Sequence, residues 1–261
     1  MLSNENRCIY RRAPLVEVIC QLRFPDILSI ETKLPADFQD AIRADFPIYT
    51  RRQDSLPPKI TGAPGNLAVA NQQSVTNHQF ASADGAWQVN LTSKFISLTC
   101  SRYTRWEDFA KKLDKPLAAF IRIYQPAFYE RVGLRYLNII SRAQYDLADV
   151  PYRELFNACY LGPLGEEDVN EASSTRCSTD CDLGLRGGCR VKIHAGPGMV
   201  KRNGQEEKEV KFIFDQDLYM PGQVPINLSA GALQILHSQA FAIFRGAIRD
   251  PLHEAFEPEE T

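Results

Sequence analysis

The sequence predicts an α+β fold in which a curved, mainly antiparallel sheet carries long helices on one face. Three observations predict it. Short segments such as Trp87–Leu91 alternate apolar and polar residues with the period of a half-buried strand. Turn pairs such as Asp84 and Gly85 separate neighbouring strands. Two longer segments, 104–124 and 229–252, repeat apolar residues at spacings of three and four, as amphipathic helices do.

Size and composition favour one domain. No linker rich in proline, serine or glycine divides the 261 residues. We therefore expect a single domain over 1–261, whose parts 10–141 and 150–256 share one core. The formal net charge of -2 gives no global electrostatic attraction to nucleic acid or to a membrane.

The expected location of the protein is cytoplasmic. The N-terminal residues lack the apolar run of a secretory signal, and no segment approaches the ~20 apolar residues of a membrane span. The seven cysteines are odd in number and scattered, which favours reduced thiols over a disulfide framework. We therefore expect a soluble, cytoplasmic protein without membrane contact.

The first half is expected to combine strands with helices. Residues 15–24 alternate as a strand, and residues 34–46 place apolar side chains four apart, as in a helix. Prolines and glycines over 50–70 indicate a loop. A three-stranded antiparallel meander is predicted over 77–101.

A long helix is expected to follow the meander. Thr104 and Glu107 match the capping box, in which each side chain binds a free backbone N–H at the helix start. Pro116 lies inside the apolar stripe of this helix. It predicts a kink or a break at 114–115, because proline removes one helical hydrogen bond.

The second half is expected to end in another long helix. The elements predicted before it are a strand over 131–141, a short helix over 150–160, strands over 175–185, 189–195 and 210–214, and a hairpin turn at 203–204. Asp215 and Asp217 are expected at a solvated strand end. Ser229 is predicted to cap the terminal helix, which bends near Pro251, and the acidic residues 257–261 are predicted to be a solvated tail.

The polar faces of the strands form the first candidate site. If the helices cover the apolar face, these polar side chains share the opposite one, where arginine forks could bind a phosphate or a carboxylate. The alternative is that an antiparallel sheet simply has a wet side. The candidate anion-binding residues are Glu17, Arg23, Gln88, Asn90, Arg131, Arg135 and Lys192, with Glu17 as a candidate base or metal ligand.

A second candidate site consists of Cys177, Cys181, Cys189 and His194. Three thiolates and an imidazole are a complete tetrahedral set that could bind zinc. Only the first spacing matches a usual zinc knuckle. Buried or surface thiols are therefore the favoured interpretation, so we expect no cofactor, with zinc as the alternative.

A third candidate site is a nucleic-acid contact at Arg102, Tyr103 and Arg105, where stacking and phosphate contacts could combine. The neighbouring Trp106 belongs to the helix stripe and is expected in the core. The local motifs of serine hydrolases, zinc peptidases and nucleotide-binding loops do not occur in the sequence. We therefore predict no catalytic residue and favour a protein that is not an enzyme.

Several separated blocks resemble one bacterial family. They are RAPLVEV at 12–18, WEDF at 106–109, RVGLRYLN at 131–138, and the terminal helix with His237 and Phe244. The family resembled is sporadically distributed, with members of about this length and an N-terminal RAPLxEV signature. Its pattern does not include the cysteine set and assigns no activity. Its patchy distribution implies horizontally moved genes, often found beside defence or toxin–antitoxin systems.

Three functions follow from these observations as alternatives. The first is a non-catalytic interaction subunit of a bacterial intracellular assembly, with a protein partner or a second copy of the chain. The second is an enzyme or sensor that binds a phosphate ester or nucleotide on the arginine-lined sheet face. The third is a nucleic-acid-binding accessory protein.

Overall fold

The computed structural model describes residues 1–55, 60–61, 68–69, 74–202 and 205–260. The predicted turn at 203–204 and most of the predicted 50–70 loop lie outside these residues. Over the described residues the α+β prediction is confirmed, because helices accompany a large open antiparallel sheet. None of the described helices is long and apolar enough to span a membrane.

The strands, in chain order, are β1 (Cys8–Tyr10), β2 (Leu15–Arg23), β3 (Ile48–Ser55), β4 (Ile60–Thr61), β5 (Ala68–Val69), β6 (Ser74–Ala81), β7 (Trp87–Leu91), β8 (Phe95–Cys100), β9 (Tyr129–Ile140), β10 (Thr179–Gly184), β11 (Arg190–Arg202), β12 (Gln205–Val224) and β13 (Pro258–Glu260). The helices are α1 (Leu28–Thr32), α2 (Ala36–Ile42), α3 (Trp106–Tyr124), α4 (Tyr152–Leu155), α5 (Ser229–Ala247) and α6 (Asp250–Ala255).

The large sheet has nine described strands in the order β10-β11-β12-β9-β2-β8-β7-β6-β3. The two halves of the chain follow the same path through it. Each half starts with a central strand, β2 or β9, passes through short helices, and returns as antiparallel strands added from the edge inward. Each ends in a 19-residue helix, α3 or α5. Because β2 and β9 pair antiparallel at the centre, the halves meet there in a pseudo-twofold arrangement.

Both halves contribute to one core. Val18, Leu134 and Phe214 of the central strands are fully buried and belong to the same cluster as Phe120 of α3 and Leu236 of α5. Successive strand residues point to opposite faces of a sheet. The residues between the buried ones therefore lie on the other face, which no described helix covers.

The start of α3 differs from the prediction. Arg105 is the N-cap residue, and no side chain caps this helix. The hydroxyl of Thr104 donates to Asp108 instead (3.2 Å), and Glu107 binds Arg7. The predicted capping box is therefore wrong, because the Glu107 carboxylate binds the guanidinium of the distant Arg7 and does not cap the helix. The predicted break is also wrong, since α3 runs continuously through Pro116, which is buried against the core.

Two strands differ from the prediction. β3 was not predicted and lies partly in the region expected to be a loop. β12 contains 20 residues and is much longer than the strand predicted over 210–214. Asp215 and Asp217 therefore lie in the middle of β12 and not at a solvated strand end. A long strand with charged residues on one face is difficult to predict, because its charged residues give it a composition similar to that of a loop.

The C-terminal region also differs from the prediction. Ser229 begins α5 and donates its hydroxyl to the Ile226 carbonyl (2.8 Å), so it does not cap the helix. Pro251 opens a separate helix, α6, at a position where a missing N–H costs nothing. Pro258–Glu260 pairs with β1 as a strand, so the tail is not merely solvated.

Candidate functional site

The uncovered face of the sheet, called the open face below, carries all the predicted anion-binding residues. Glu17 and Arg23 lie on β2, Arg131 and Arg135 on the adjacent β9, and Lys192 on β11. The two amides lie farther along the sheet on β7, where Gln88 donates to Asn90 (2.8 Å). Arg135 and Lys192 line one depression, and Arg23 and Arg131 line another. The residues therefore share a face without converging on one point.

Both predicted arginine forks on β9 are already paired. Arg131 Nη2 donates to both carboxylate oxygens of Asp217, at 2.6 and 2.7 Å. Arg135 donates to Asp215 through Nε (2.8 Å) and through Nη2. The hydrogen bond to Asp215 is the main cause of a raised pKa for Arg135. A phosphate bound here would have to displace a carboxylate.

Arg131 is held flat against the sheet. Its guanidinium carbon lies 4.7 Å from the centre of the Tyr219 ring, a cation–π contact. A Cβ atom at Gly133 would lie 2.3 Å from Nη1 of Arg131. Glycine at position 133 therefore leaves the space that Arg131 needs to link β9 to β12.

The sign of the charge alternates between neighbouring strands on the part of the open face formed by β10, β11, β12 and β9. The strand registers align Asp182 of β10, Lys192 of β11, Asp217 of β12 and Arg135 of β9. These four residues are called the charge row below. They read acid, base, acid, base, so the surface is finely mixed in charge and not basic.

The predicted zinc ligands do not come together. Cys181 pairs with Ile193, and both lie on the helix side of the sheet. His194 follows Ile193 in β11 and therefore points to the open face. Cys177 and Cys189 each contact a backbone carbonyl at 3.5 Å. Among the described residues, no group of three His, Cys, Asp or Glu side chains is arranged to hold a metal ion. The structure thus places Cys181 and His194 on opposite faces of the sheet, and the zinc site stays a prediction.

The predicted nucleic-acid contacts have partners within the protein. Arg102 donates to the backbone carbonyl of Asp84, and Arg105 donates to Glu107 (3.1 Å). Tyr103 packs against the core, and burial raises the pKa of its hydroxyl to about 12. The two arginines are exposed or half-buried on the surface, whereas Tyr103 belongs to the interior.

A cavity of about 100 Å³, called the central cavity below, lies where the two halves meet and was not predicted. Arg7 and Arg105 supply charged groups to its lining, and most of the remaining lining is apolar. The uncharged polar groups include those of Tyr103, Tyr136, Asn138, Gln216 and His237. Part of the signal was in the sequence. Asn138 of β9 and Gln216 of β12 occupy positions whose strand neighbours of the same parity are buried and apolar.

A hydrogen-bonded pair lines the central cavity. The Tyr136 hydroxyl lies 2.8 Å from Nδ1 of His237, and the Tyr103 ring packs edge-on against the Tyr136 ring, with centres 6.0 Å apart. The indole of Trp106 stacks on His237, with ring centres 4.6 Å apart. Burial, followed by the charge of Arg7, lowers the pKa of His237 to about 4. The imidazole is therefore neutral near pH 7.

Residues 1–14, called the N-terminal strap below, pass over the central cavity and join the two long helices. Glu5 binds Arg245 of α5 (2.6 Å), and Arg7 binds Glu107 of α3 through two contacts of 2.6 and 3.2 Å. The bond to Arg7 is the main reason that the pKa of Glu107 falls to about 2. Two ion pairs thus hold the strap across the cavity.

The strap docks against Gly246 of α5. A Cβ atom at Gly246 would lie 2.2 Å from the Met1 carbonyl oxygen and 3.0 Å from the Ser3 nitrogen, both backbone atoms. Gly246→Ala is expected to displace the start of the strap while α5 persists, because alanine favours a helix. Amide exchange at Ser3 should then accelerate at least about tenfold.

The matched control for this prediction is Gly231→Ala. Gly231 lies on the same helix, and a Cβ atom there meets nothing within 4 Å. This variant should leave exchange at Ser3 unchanged. Equal protection of Ser3 in wild type and Gly246→Ala would show that the strap does not depend on this close approach.

No family model matches the chain, and no curated protein sequence matches it. The resemblance to the RAPLxEV family therefore stays a prediction.

Proposed function

We propose that this chain is a non-catalytic interaction protein that docks a protein on the open face of its sheet, and that the occupant is a second copy of the chain. The observation that carries the proposal is the charge row. Its four residues alternate in sign across four neighbouring strands at the same height of the sheet. Such a pattern is complementary to a protein surface with the reverse alternation.

The charge row is complementary to itself. Consider two open faces related by a twofold axis that runs parallel to the strands, between β11 and β12. Asp182 of one copy then faces Arg135 of the other, and Lys192 faces Asp217. Each facing pair has opposite charges, and the same surface serves both copies, as twofold interfaces require.

The extent of the contact indicates a weak dimer. Four strands spaced ~4.8 Å apart, each with about six paired residues, present a face of roughly 400 Å². A stable interface buries about 800 Å² per partner. Asp182, Asp217 and Arg135 each already have an ion-pair partner within the chain, so the facing pairs add at most ~1 kcal/mol each and are screened by salt. We therefore expect reversible association that weakens as ionic strength rises.

The two alternative functions have less support from the charges. A phosphate ester or nucleotide would have to take Arg131 or Arg135 from its carboxylate partner. A nucleic acid bound through Arg102 and Arg105 would have to take these arginines from Asp84 and Glu107, to which they already donate. The link to bacterial defence systems rests on the sequence resemblance and stays a prediction.

The proposal is tested by sedimentation equilibrium of the full chain. The wild type should form dimers that dissociate on dilution and in high salt. Lys192→Glu places like charges opposite each other twice in the dimer and should weaken association at least about tenfold, or about 1.4 kcal/mol. Lys192 is exposed, so its replacement should leave the fold intact.

The matched control is Lys111→Glu, which makes the same charge change at an exposed position of α3. It should associate as the wild type does. A wild-type mass of one chain at all concentrations up to about 1 mM would refute the proposal. Equal weakening by Lys192→Glu and Lys111→Glu would refute it as well, because net charge and not the charge row would then govern association.

A further inference from the structure

We propose that the central cavity binds a small uncharged molecule that has an apolar body and both a hydrogen-bond donor and a hydrogen-bond acceptor. This site lies on the helix side of the sheet, so it is separate from the docking surface on the open face. Two side chains that line it carry the inference. His237 is 6% exposed and Gln216 is 2% exposed, and each has a buried polar atom without a partner in the described part of the chain.

The unpartnered atoms define the hydrogen bonding of the ligand. They are Nε2 of His237 and Oε1 of Gln216. We assign the Tyr136 hydroxyl as the donor to Nδ1 of His237. In this tautomer the ring proton is on Nε2, which is then a donor. The amide oxygen of Gln216 is an acceptor. A molecule with one acceptor and one donor would satisfy both groups, which otherwise stay buried and unpaired.

The rest of the lining requires an apolar body of limited size. Ile9, Leu15, Phe241 and Phe244 contribute to the wall. The volume of about 100 Å³ is smaller than the ~150 Å³ of an engineered cavity that binds benzene. A ring of five non-hydrogen atoms is therefore a suitable size.

The charges around the cavity exclude an ionic ligand. Arg7 and Arg105 lie at its edge, and both bind Glu107. The polar groups deeper in the cavity are neutral, since burial holds the pKa of His237 at about 4. An ion would lose its hydration without gaining a counter-ion, so an uncharged molecule is favoured.

The test uses the full chain and three probes of similar size, with binding followed by ligand-observed NMR. Pyrazole is uncharged near pH 7 and has one donor and one acceptor on a five-membered ring. Thiophene has a similar shape with neither the N–H donor nor the nitrogen acceptor, and propionate has a charge. Pyrazole should bind at least about tenfold more tightly than thiophene, and propionate should not bind.

Two variants connect the binding to the proposed groups. His237→Phe keeps a ring beside Trp106 and removes the donor, so the advantage of pyrazole over thiophene should shrink. Gln216→Leu removes the acceptor, should shrink the same advantage, and serves if the first variant does not fold. Ser238→Ala, on an exposed neighbour in α5, should leave pyrazole binding unchanged.

Three results would overturn the inference. The first is equal binding of pyrazole and thiophene to the wild type. The second is unchanged pyrazole affinity in both His237→Phe and Gln216→Leu. The third is no binding of any probe up to about 10 mM, which would show that the cavity accommodates only water.

Discussion

Acidification from about pH 7 to about pH 4 is expected to lower the free energy of unfolding by about 3 kcal/mol through His237 alone. Burial lowers the pKa of this imidazole to about 4 in the folded protein, whereas an unfolded histidine has a pKa near ~6.5. Between these values the unfolded chain binds the additional proton. The stability is therefore fully present above about pH 6.5 and is lost as the pH falls towards 4.

The contribution of His237 is isolated by comparison with His237→Gln. Urea unfolding of both proteins across this pH range should show a steeper loss of stability in the wild type. Carboxylates such as Glu107 titrate in both proteins, so their effects cancel in the comparison. Ser238→Ala should keep the wild-type slope. Identical slopes in the wild type and His237→Gln would show that the folded protein does not hold this histidine neutral.

Trp106→Ala is expected to lower the free energy of unfolding by about 3–5 kcal/mol. Trp106 is only 6% exposed, and its ring stacks on both His237 and Phe109. Its Nε1 also donates to Gln234 of α5 (2.8 Å). One side chain at the start of α3 thus contacts the helix of the other half, and its loss leaves a cavity between the two halves.

Trp106→Phe is a milder substitution that serves as the control. The free energy of unfolding of both variants is measured with urea near pH 7. Phenylalanine keeps an aromatic ring in the stack but cannot donate to Gln234. The expected loss is therefore smaller, about 1–2 kcal/mol. A loss below about 1 kcal/mol for Trp106→Ala would contradict the view that this residue joins the two long helices.

Local periodicity predicts those elements whose burial repeats regularly. The alternation in Trp87–Leu91 and the apolar stripe of α3 reflect one face packed on a continuous core, and both elements form as expected. The capping box fails for a different reason. Glu107 is drawn to Arg7, which lies 100 residues away in the sequence, and no local pattern carries that information.

The residues of the open face and the central cavity were predictable only in part, because their contacts also join residues that are distant in the sequence. Alternation alone places Arg131 and Arg135 on the wet face. Their carboxylate partners lie 86 and 80 residues away, and the strand register that unites them is set by the whole sheet. Predicting the central cavity also requires knowing how α5 packs on the sheet. Asn138 and Gln216, polar residues at positions where a buried strand carries apolar ones, are the only indication of it that we find in the sequence of the described strands.

The most direct test of docking through the charge row is sedimentation equilibrium of an equimolar mixture of Lys192→Glu and Asp217→Lys chains. Each variant alone opposes like charges twice and should stay largely monomeric. Because Asp217 also pairs with Arg131, a wild-type circular dichroism spectrum of Asp217→Lys is the control for its fold. In the mixed dimer, the carboxylate introduced at position 192 of one copy faces the ammonium group introduced at position 217 of the other. The remaining pair, Asp217 with Lys192, is native, so the mixture should dimerise about as tightly as the wild type. A mixture that stays monomeric under conditions where the wild type dimerises would contradict the proposed interface.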